Sequence, residues 1–100
     1  LVIVASEFGR TVAINGTAGT DHGTGGLMML MGGALDGAGQ VDADWPGLNP
    51  AALLDGRDLR PTIAAEAVIG ASVAAHFSLD PERLMTRLYP SQPGLKPFRA

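Results

Sequence analysis

Two short apolar runs frame a long polar, glycine-rich segment near the start of the chain, and that alternation restricts its fold more than any other feature. Leu1, Val2, Ile3, Val4 and Ala5 form the first run; Leu27, Met28, Met29, Leu30 and Met31 form the second. Each is too short for a stable helix, and no polar residue interrupts it. A strand covered on both faces reads this way, so two neighbouring parallel strands are expected, packed with helices from the C-terminal half.

Between the runs, residues 10–26 are dense in glycine, threonine and asparagine, and only Val12 and Ile14 offer apolar surface. Asn15-Gly16 is a strong turn signal within an expected long surface loop. Loops of that length inside a compact domain are commonly functional. After Gly32-Gly33, the Asp36-Gly37 pair predicts a hairpin-like turn in residues 34–41. Trp45-Pro46-Gly47 predicts a rigid turn with one large anchor. Asn49-Pro50 predicts a capped one-turn helix over 49–54, closed by Asp55-Gly56.

The main helix is expected to open at Pro61-Thr62 with Thr62 as its cap. Ile63, Ala67, Gly70, Ala74 and Phe77 would form its apolar face. Asp80-Pro81 predicts a second helix, capped by Asp80 and running to Leu88, and residues 90–100 an extended tail rich in proline. The chain divides as 1–33, two strands and the motif loop; 34–60, irregular with a short helix; 61–89, helices; and 90–100, tail. One hundred residues suit a single domain or the C-terminal fragment of a larger α/β domain. A start at Leu1, directly inside a strand-like run, favours the fragment.

Charge and composition exclude several classes. The net charge of -3 and the scatter of the seven lysines and arginines leave no footprint for nucleic acid. The absence of cysteine removes disulfides and thiolate metal sites. No apolar run approaches the roughly 20 residues of a membrane span.

The chemistry-bearing residues sit at the ends of the apolar runs. Asp21 and His22 can offer a carboxylate and an imidazole to one divalent metal, yet two ligands do not complete a site. The alternative is that Asp21 caps the loop's own amides and His22 bonds a neighbouring carbonyl. Glu7 and Arg10 can bind a metal and an anion respectively, or form an ion pair that pins the loop. Ser6, Thr11, Thr20 and Thr24 become nucleophiles only beside a general base, which the spacing does not supply. His76 and the four methionines read as packing or surface residues.

Taken in order, Ser6-Glu7-Phe8-Gly9-Arg10, then Gly19-Thr20-Asp21-His22-Gly23-Thr24-Gly25-Gly26, Gly32-Gly33, Asp44-Trp45-Pro46-Gly47-Leu48 and Gly56-Arg57-Asp58-Leu59 carry a family likeness. They resemble the C-terminal part of a bacterial family of uncharacterised proteins exported with twin-arginine signals, grouped with the alkaline phosphatase and sulfatase superfamily. The resemblance implies an α/β fold with a partial parallel-rich sheet, an alkaline phosphatase-like core fragment. It also implies an exported or periplasmic parent and a divalent metal site built from His22, Glu7 and Asp21.

In the superfamily's phosphodiesterase and phosphomutase branches a strand ends in Ser-Asp-His-Gly, and a later His-Gly precedes the next strand. By that register Glu7 stands in place of the aspartate, Phe8 in place of a histidine, and His22 at the last metal-binding histidine. A second register takes Asp21-His22-Gly23 itself as the Asp-His-Gly motif. The implied function is part of a metal-dependent hydrolase of phosphate or sulfate esters. Arg10 would neutralise a small anionic ester substrate, and the fragment alone would be inactive. The alternative, motivated by Phe8, is a non-catalytic exported binding domain. Loss of upstream strands would leave sheet edges open, so a homo-oligomer of the chain is expected.

Overall fold

The computed structural model describes residues 1–35 and 39–98. In chain order its elements are β1 (Val2–Val4), β2 (Gly9–Arg10), β3 (His22–Gly23), β4 (Met29–Met31), α1 (Ala65–Phe77) and α2 (Pro81–Leu88). Contacts divide the chain into two compact units. The first holds Leu1–Val4, Met29–Asp42 and Ile63–Ala100; the second holds Ala5–Met28 and Ala43–Thr62.

The parallel-rich sheet expected from the apolar runs is not formed. β1 pairs antiparallel with β4, with Val2 opposite Met31, Ile3 opposite Leu30 and Val4 opposite Met29. The other pair, β2 with β3, is also antiparallel, and each sheet has two strands. An alkaline phosphatase-like core is therefore overturned for this chain. Parallel neighbours need a crossover, usually helical, that returns the chain to the same end of the sheet. Here the segment between β1 and β4 contains the β2–β3 hairpin and no helix.

The apolar runs do not become strands covered on both faces either. Val2, Val4, Met29 and Met31 share one face of the ribbon, and each is about half exposed. Ile3 and Leu30, on the opposite face, are half-buried. The runs specify strand conformation, since β-branched and long apolar side chains suit a pleated surface, while covering depends on what else packs there.

In the helical part of this unit, α1 starts later than Pro61-Thr62 implies. Its N-cap is Ala64, which supplies no side-chain hydrogen bond. The alanine-rich stretch from Ala65 carries enough helix propensity to begin without a cap. Ser78 ends the helix in the left-handed region at φ 54°, and the Leu79 N–H returns to the Ala74 carbonyl at 2.9 Å. The start of α2 is as expected: Asp80 Oδ1 accepts the Arg83 N–H at 2.8 Å, and Pro81 occupies the first turn.

Small residues let the two helices meet. Ala67, Gly70, Ala71, Ser72 and Ala74 are buried on α1, and Met85 of α2 is only 3% exposed. A methyl group added to Gly70 would stand 2.1 Å from Met85 Sδ, so the sulfur fills the space that glycine leaves. Ser72 is fully buried, its hydroxyl donating to the Val68 carbonyl at 2.8 Å. Phe77, expected on the buried face, is 64% exposed, its ring edge-on to His76. Position 77 is the last residue of α1.

The tail is not simply extended. Hydrogen bonds from Gln92 N–H to the Tyr89 carbonyl and from Leu95 N–H to the Gln92 carbonyl make two successive turns. The Phe98 N–H then donates to the Ala67 carbonyl at 3.1 Å, tying the tail to α1. The Lys96–Glu82 ion pair, 3.9 Å long and exposed at both ends, adds little. The hairpin-like turn expected over 34–41 falls partly on residues 36–38, outside the described residues.

Met85→Ala removes the one side chain that fills the Gly70 gap. Urea unfolding followed by helical circular dichroism should show a loss of about 2–4 kcal/mol, the usual range for a buried methionine truncated in place.

Candidate functional site

All four residues singled out for chemistry, Glu7, Arg10, Asp21 and His22, lie in the second unit. The long loop expected over 10–26 is a hairpin: Gly9 stands opposite Gly23 and Arg10 opposite His22. The Thr11 N–H continues the ladder to the Asp21 carbonyl at 3.0 Å.

Glycine is required at this crossing for steric reasons. A methyl group on Gly9 would lie 2.6 Å from the carbonyl oxygens of both Gly23 and Gly25. One on Gly23 would lie 2.6 Å from the Arg10 carbonyl carbon, and one on Gly25 would lie 2.5 Å from the Leu59 carbonyl oxygen. These neighbours are backbone atoms that cannot swing aside. The glycines of the two motifs thus serve close backbone approach.

A third segment joins the hairpin. The turn at Asp55 and Gly56, with φ 54° and 68°, returns the chain so that the Leu54 N–H meets the Asp58 carbonyl at 2.8 Å. Asp58 then bridges to Thr11, and the Val12 N–H donates to the Arg57 carbonyl at 3.2 Å. Before it, residues 49–54 form an Asn49-capped turn and not the expected short helix. Asn49 Oδ1 accepts the Ala52 N–H at 3.1 Å.

Strand alternation sorts the side chains into two groups. Thr11 and Asp21 stand on one face of the hairpin and Arg10 and His22 on the other, while Asp58 pairs with Thr11 and Arg57 lies in the turn before it. Thr11 and Asp58 are buried at 7% and 8% exposure. The Thr11 hydroxyl donates to the Ala13 carbonyl and accepts the Asp21 N–H at 3.0 Å, so it is fully used in structure. Arg57 Nε lies 3.3 Å from Asp58 Oδ1, a charge contact without hydrogen-bond alignment. Arg57 Nη2 donates to the His22 carbonyl at 2.6 Å. One guanidinium thereby connects the return segment to β3.

Arg10 Nε donates to Thr20 Oγ1 at 2.9 Å, and its Nη2 donates to the Thr20 carbonyl. A guanidinium has five N–H donors, so both arginines keep donors free for an anion. The loop tip is organised by Asn15. Its Oδ1 accepts from the Thr17 N–H, the Thr17 hydroxyl and the Gly19 N–H, and its Nδ2 donates to Asp21 Oδ1 at 3.1 Å. Asp21 therefore receives a side-chain amide and is not a cap for backbone amides. Ser6 is also local: its Oγ accepts the Phe8 N–H at 3.0 Å.

The implied metal site is incomplete here. Among the described residues no three His, Asp or Glu side chains are grouped to hold a metal ion, so Glu7, Asp21 and His22 do not form a ligand set. Asp21 is tied to Asn15. Among the described residues these side chains do not make a metal centre by themselves. Glu7 and the His22 imidazole are exposed and make no hydrogen bond among the described residues.

Residue type and spacing do not single out Arg57, Asp58 or Asn15. The Gly56-Arg57-Asp58-Leu59 motif and the Asn15-Gly16 turn marked their positions. Their roles depend on strand neighbours that spacing does not reveal.

This unit is a glycine-clamped hairpin that sets Arg10 opposite His22 and is joined by the segment carrying Arg57. The chain belongs to the family described as Protein of unknown function (DUF1501), which matches residues 1–88. No curated protein and no solved structure matches it.

Gly9→Ala is expected to force β2 from β3 and lower the stability of this unit by about 1–3 kcal/mol, as overpacking does. Amide exchange at Thr11 and Gly19 should accelerate while the α1 amides keep their protection; unchanged exchange at Thr11 would contradict the clamp.

Proposed function

We propose that Arg10, His22 and Arg57 together receive the anionic group of a phosphate or sulfate ester, as one part of an ester-hydrolase-like site. The observation that carries this reading is the register that sets Arg10 opposite His22, with Arg57 donating to the His22 carbonyl. Two guanidinium groups with free donors, one paired across from His22 and one bonded to its carbonyl, suit a tetrahedral oxyanion. The motif likeness to the exported family grouped with alkaline phosphatases and sulfatases supports the same choice of ligand, and with it an exported parent.

The reading assigns no nucleophile to this chain. Ser6, Thr11 and Thr20 spend their hydroxyls on local hydrogen bonds, and among the described residues no histidine or carboxylate is bonded to them as a base. A divalent metal at His22 would need further ligands from a longer protein. The chain alone is accordingly inactive in this proposal.

Nuclear magnetic resonance titration with inorganic phosphate, and separately with sulfate, tests the reading. Saturable shifts are expected at Arg10, His22 and Arg57, with a Kd of about 1 mM or weaker for so exposed a site. Arg10→Ala should weaken binding about tenfold, the loss of one charge-assisted hydrogen bond. Shifts spread over all basic residues, or no saturation, would remove the anion reading.

A second reading, a non-catalytic binding domain, is favoured by Phe8, which is 69% exposed beside the hairpin. Ester hydrolysis by a longer protein carrying His22→Ala separates the two, since undiminished activity excludes a role for His22 in the reaction.

We also propose self-association through the ribbon face of Val2, Val4, Met29 and Met31, each about half exposed. Among the described residues no helix is long and apolar enough to cross a membrane. Sedimentation should give a mass above one chain, and Met31→Glu should return it to one. A wild-type mass of one chain at high concentration contradicts the association.

A further inference from the structure

The side chain that holds the hairpin tip is also the one most open to spontaneous chemistry. Asn15 is followed by Gly16, and no atom lies within 4 Å of where a Gly16 side chain would begin. An asparagine is converted when the next residue's backbone nitrogen attacks its side-chain carbonyl carbon. Glycine favours that attack because it places no side chain in the way and leaves the backbone free to rotate.

The only other asparagine, Asn49, precedes Pro50, whose nitrogen carries no hydrogen to lose and is already fully substituted. The chain therefore holds one reactive asparagine and one built-in control.

We propose that Asn15 is a deamidation site held in check by the folded loop, and that its conversion unties the hairpin tip. In the first step the Gly16 nitrogen loses its proton to solvent base and bonds to Asn15 Cγ. The Cγ–Nδ2 bond then breaks, and Nδ2 takes up a proton and leaves as ammonia. The resulting five-membered succinimide ring is opened by one water molecule, giving aspartate or isoaspartate at position 15. No oxidant or reductant takes part, and the net change is water consumed and ammonia released.

The check is geometric. Oδ1 accepts three hydrogen bonds, at 2.8 Å, 3.0 Å and 3.1 Å, while Nδ2 is held 3.1 Å from Asp21 Oδ1. Turning Cγ toward the Gly16 nitrogen breaks this set together. The three donors on Oδ1 also settle which end of the amide is oxygen, because only an oxygen can accept from all of them.

The product cannot restore the same contacts. Aspartate has no donor to replace Nδ2, so a carboxylate oxygen would face Asp21 Oδ1 across the same gap, two like charges where a hydrogen bond stood. Isoaspartate lengthens the backbone at the tip. Either product weakens the tie that places Asp21 directly before β3, the strand that carries His22.

The test uses the whole chain, incubated in mildly alkaline buffer and mapped by mass spectrometry with fragmentation that separates aspartate from isoaspartate. Conversion is expected at Asn15 and not at Asn49. It should run about tenfold or more slower in the folded chain than in urea, because several hydrogen bonds must open together. Thr17→Val and Asp21→Ala, each removing one contact, should fall between those rates.

In Asn15→Asp, amide exchange at Thr11 and Asp21, whose N–H groups depend on the placing of Asp21, should be about fivefold faster or more, with α1 exchange unchanged as the check on folding. Equal rates in folded and unfolded chain, or no conversion at position 15 in urea, overturns the proposed site. Unaltered exchange in Asn15→Asp overturns its consequence.

Discussion

Backbone-to-backbone contact at the β2–β3 crossing is the constraint on which the second unit depends. Gly9, Gly23 and Gly25 meet carbonyl groups at distances where no Cβ fits, and those carbonyls belong to the hairpin and to the return segment at Leu59. Glycine carries an entropic cost of about 1 kcal/mol in a strand, so its presence here marks a place where only a bare backbone fits. Once that crossing forms, the Arg10–His22 register follows, because side-chain direction alternates residue by residue from the glycine pair.

The crossing also explains how so polar a segment stays ordered. Its buried side chains are Thr11, Leu53 and Asp58, a small apolar contribution. Hydrogen bonds take up the rest: Thr11 to Asp21, Asn15 to four partners, Arg57 to the His22 carbonyl. Each is modest, but they share residues, and linked polar groups reinforce one another. Arg57 joins the return segment to β3 and lies against the buried Asp58 carboxylate.

The first unit uses a different economy. Its helix pair is held by the absence of side-chain bulk on α1, with Met85 as the filler, and its ribbon leaves half of its apolar surface in contact with solvent. Helix contacts made through alanine and glycine bury little area per residue but allow close approach, which favours dispersion over area. An exposed apolar ribbon beside such a pair accounts for the expectation of a further surface to cover it.

Local signals survived into the structure where they concern a few neighbouring residues. Asp80-Pro81 started α2, Asn15-Gly16 made a turn, Asp55-Gly56 took left-handed φ values, and both apolar runs contained strands. Long-range pairing was not legible in the same way. The runs at residues 1–5 and 27–31 have identical local character in a parallel or an antiparallel pair, and only the path between them decides direction. Asp21 and His22 likewise read as a metal pair until Asn15 and Arg57 are placed beside them. The sequence by itself determined the two apolar runs as strands, the capped start of α2 at Asp80-Pro81 and the family. Tertiary structure decided strand direction, the reason for the glycines and the gathering of Arg10, His22 and Arg57, because those depend on contacts between residues far apart in the chain.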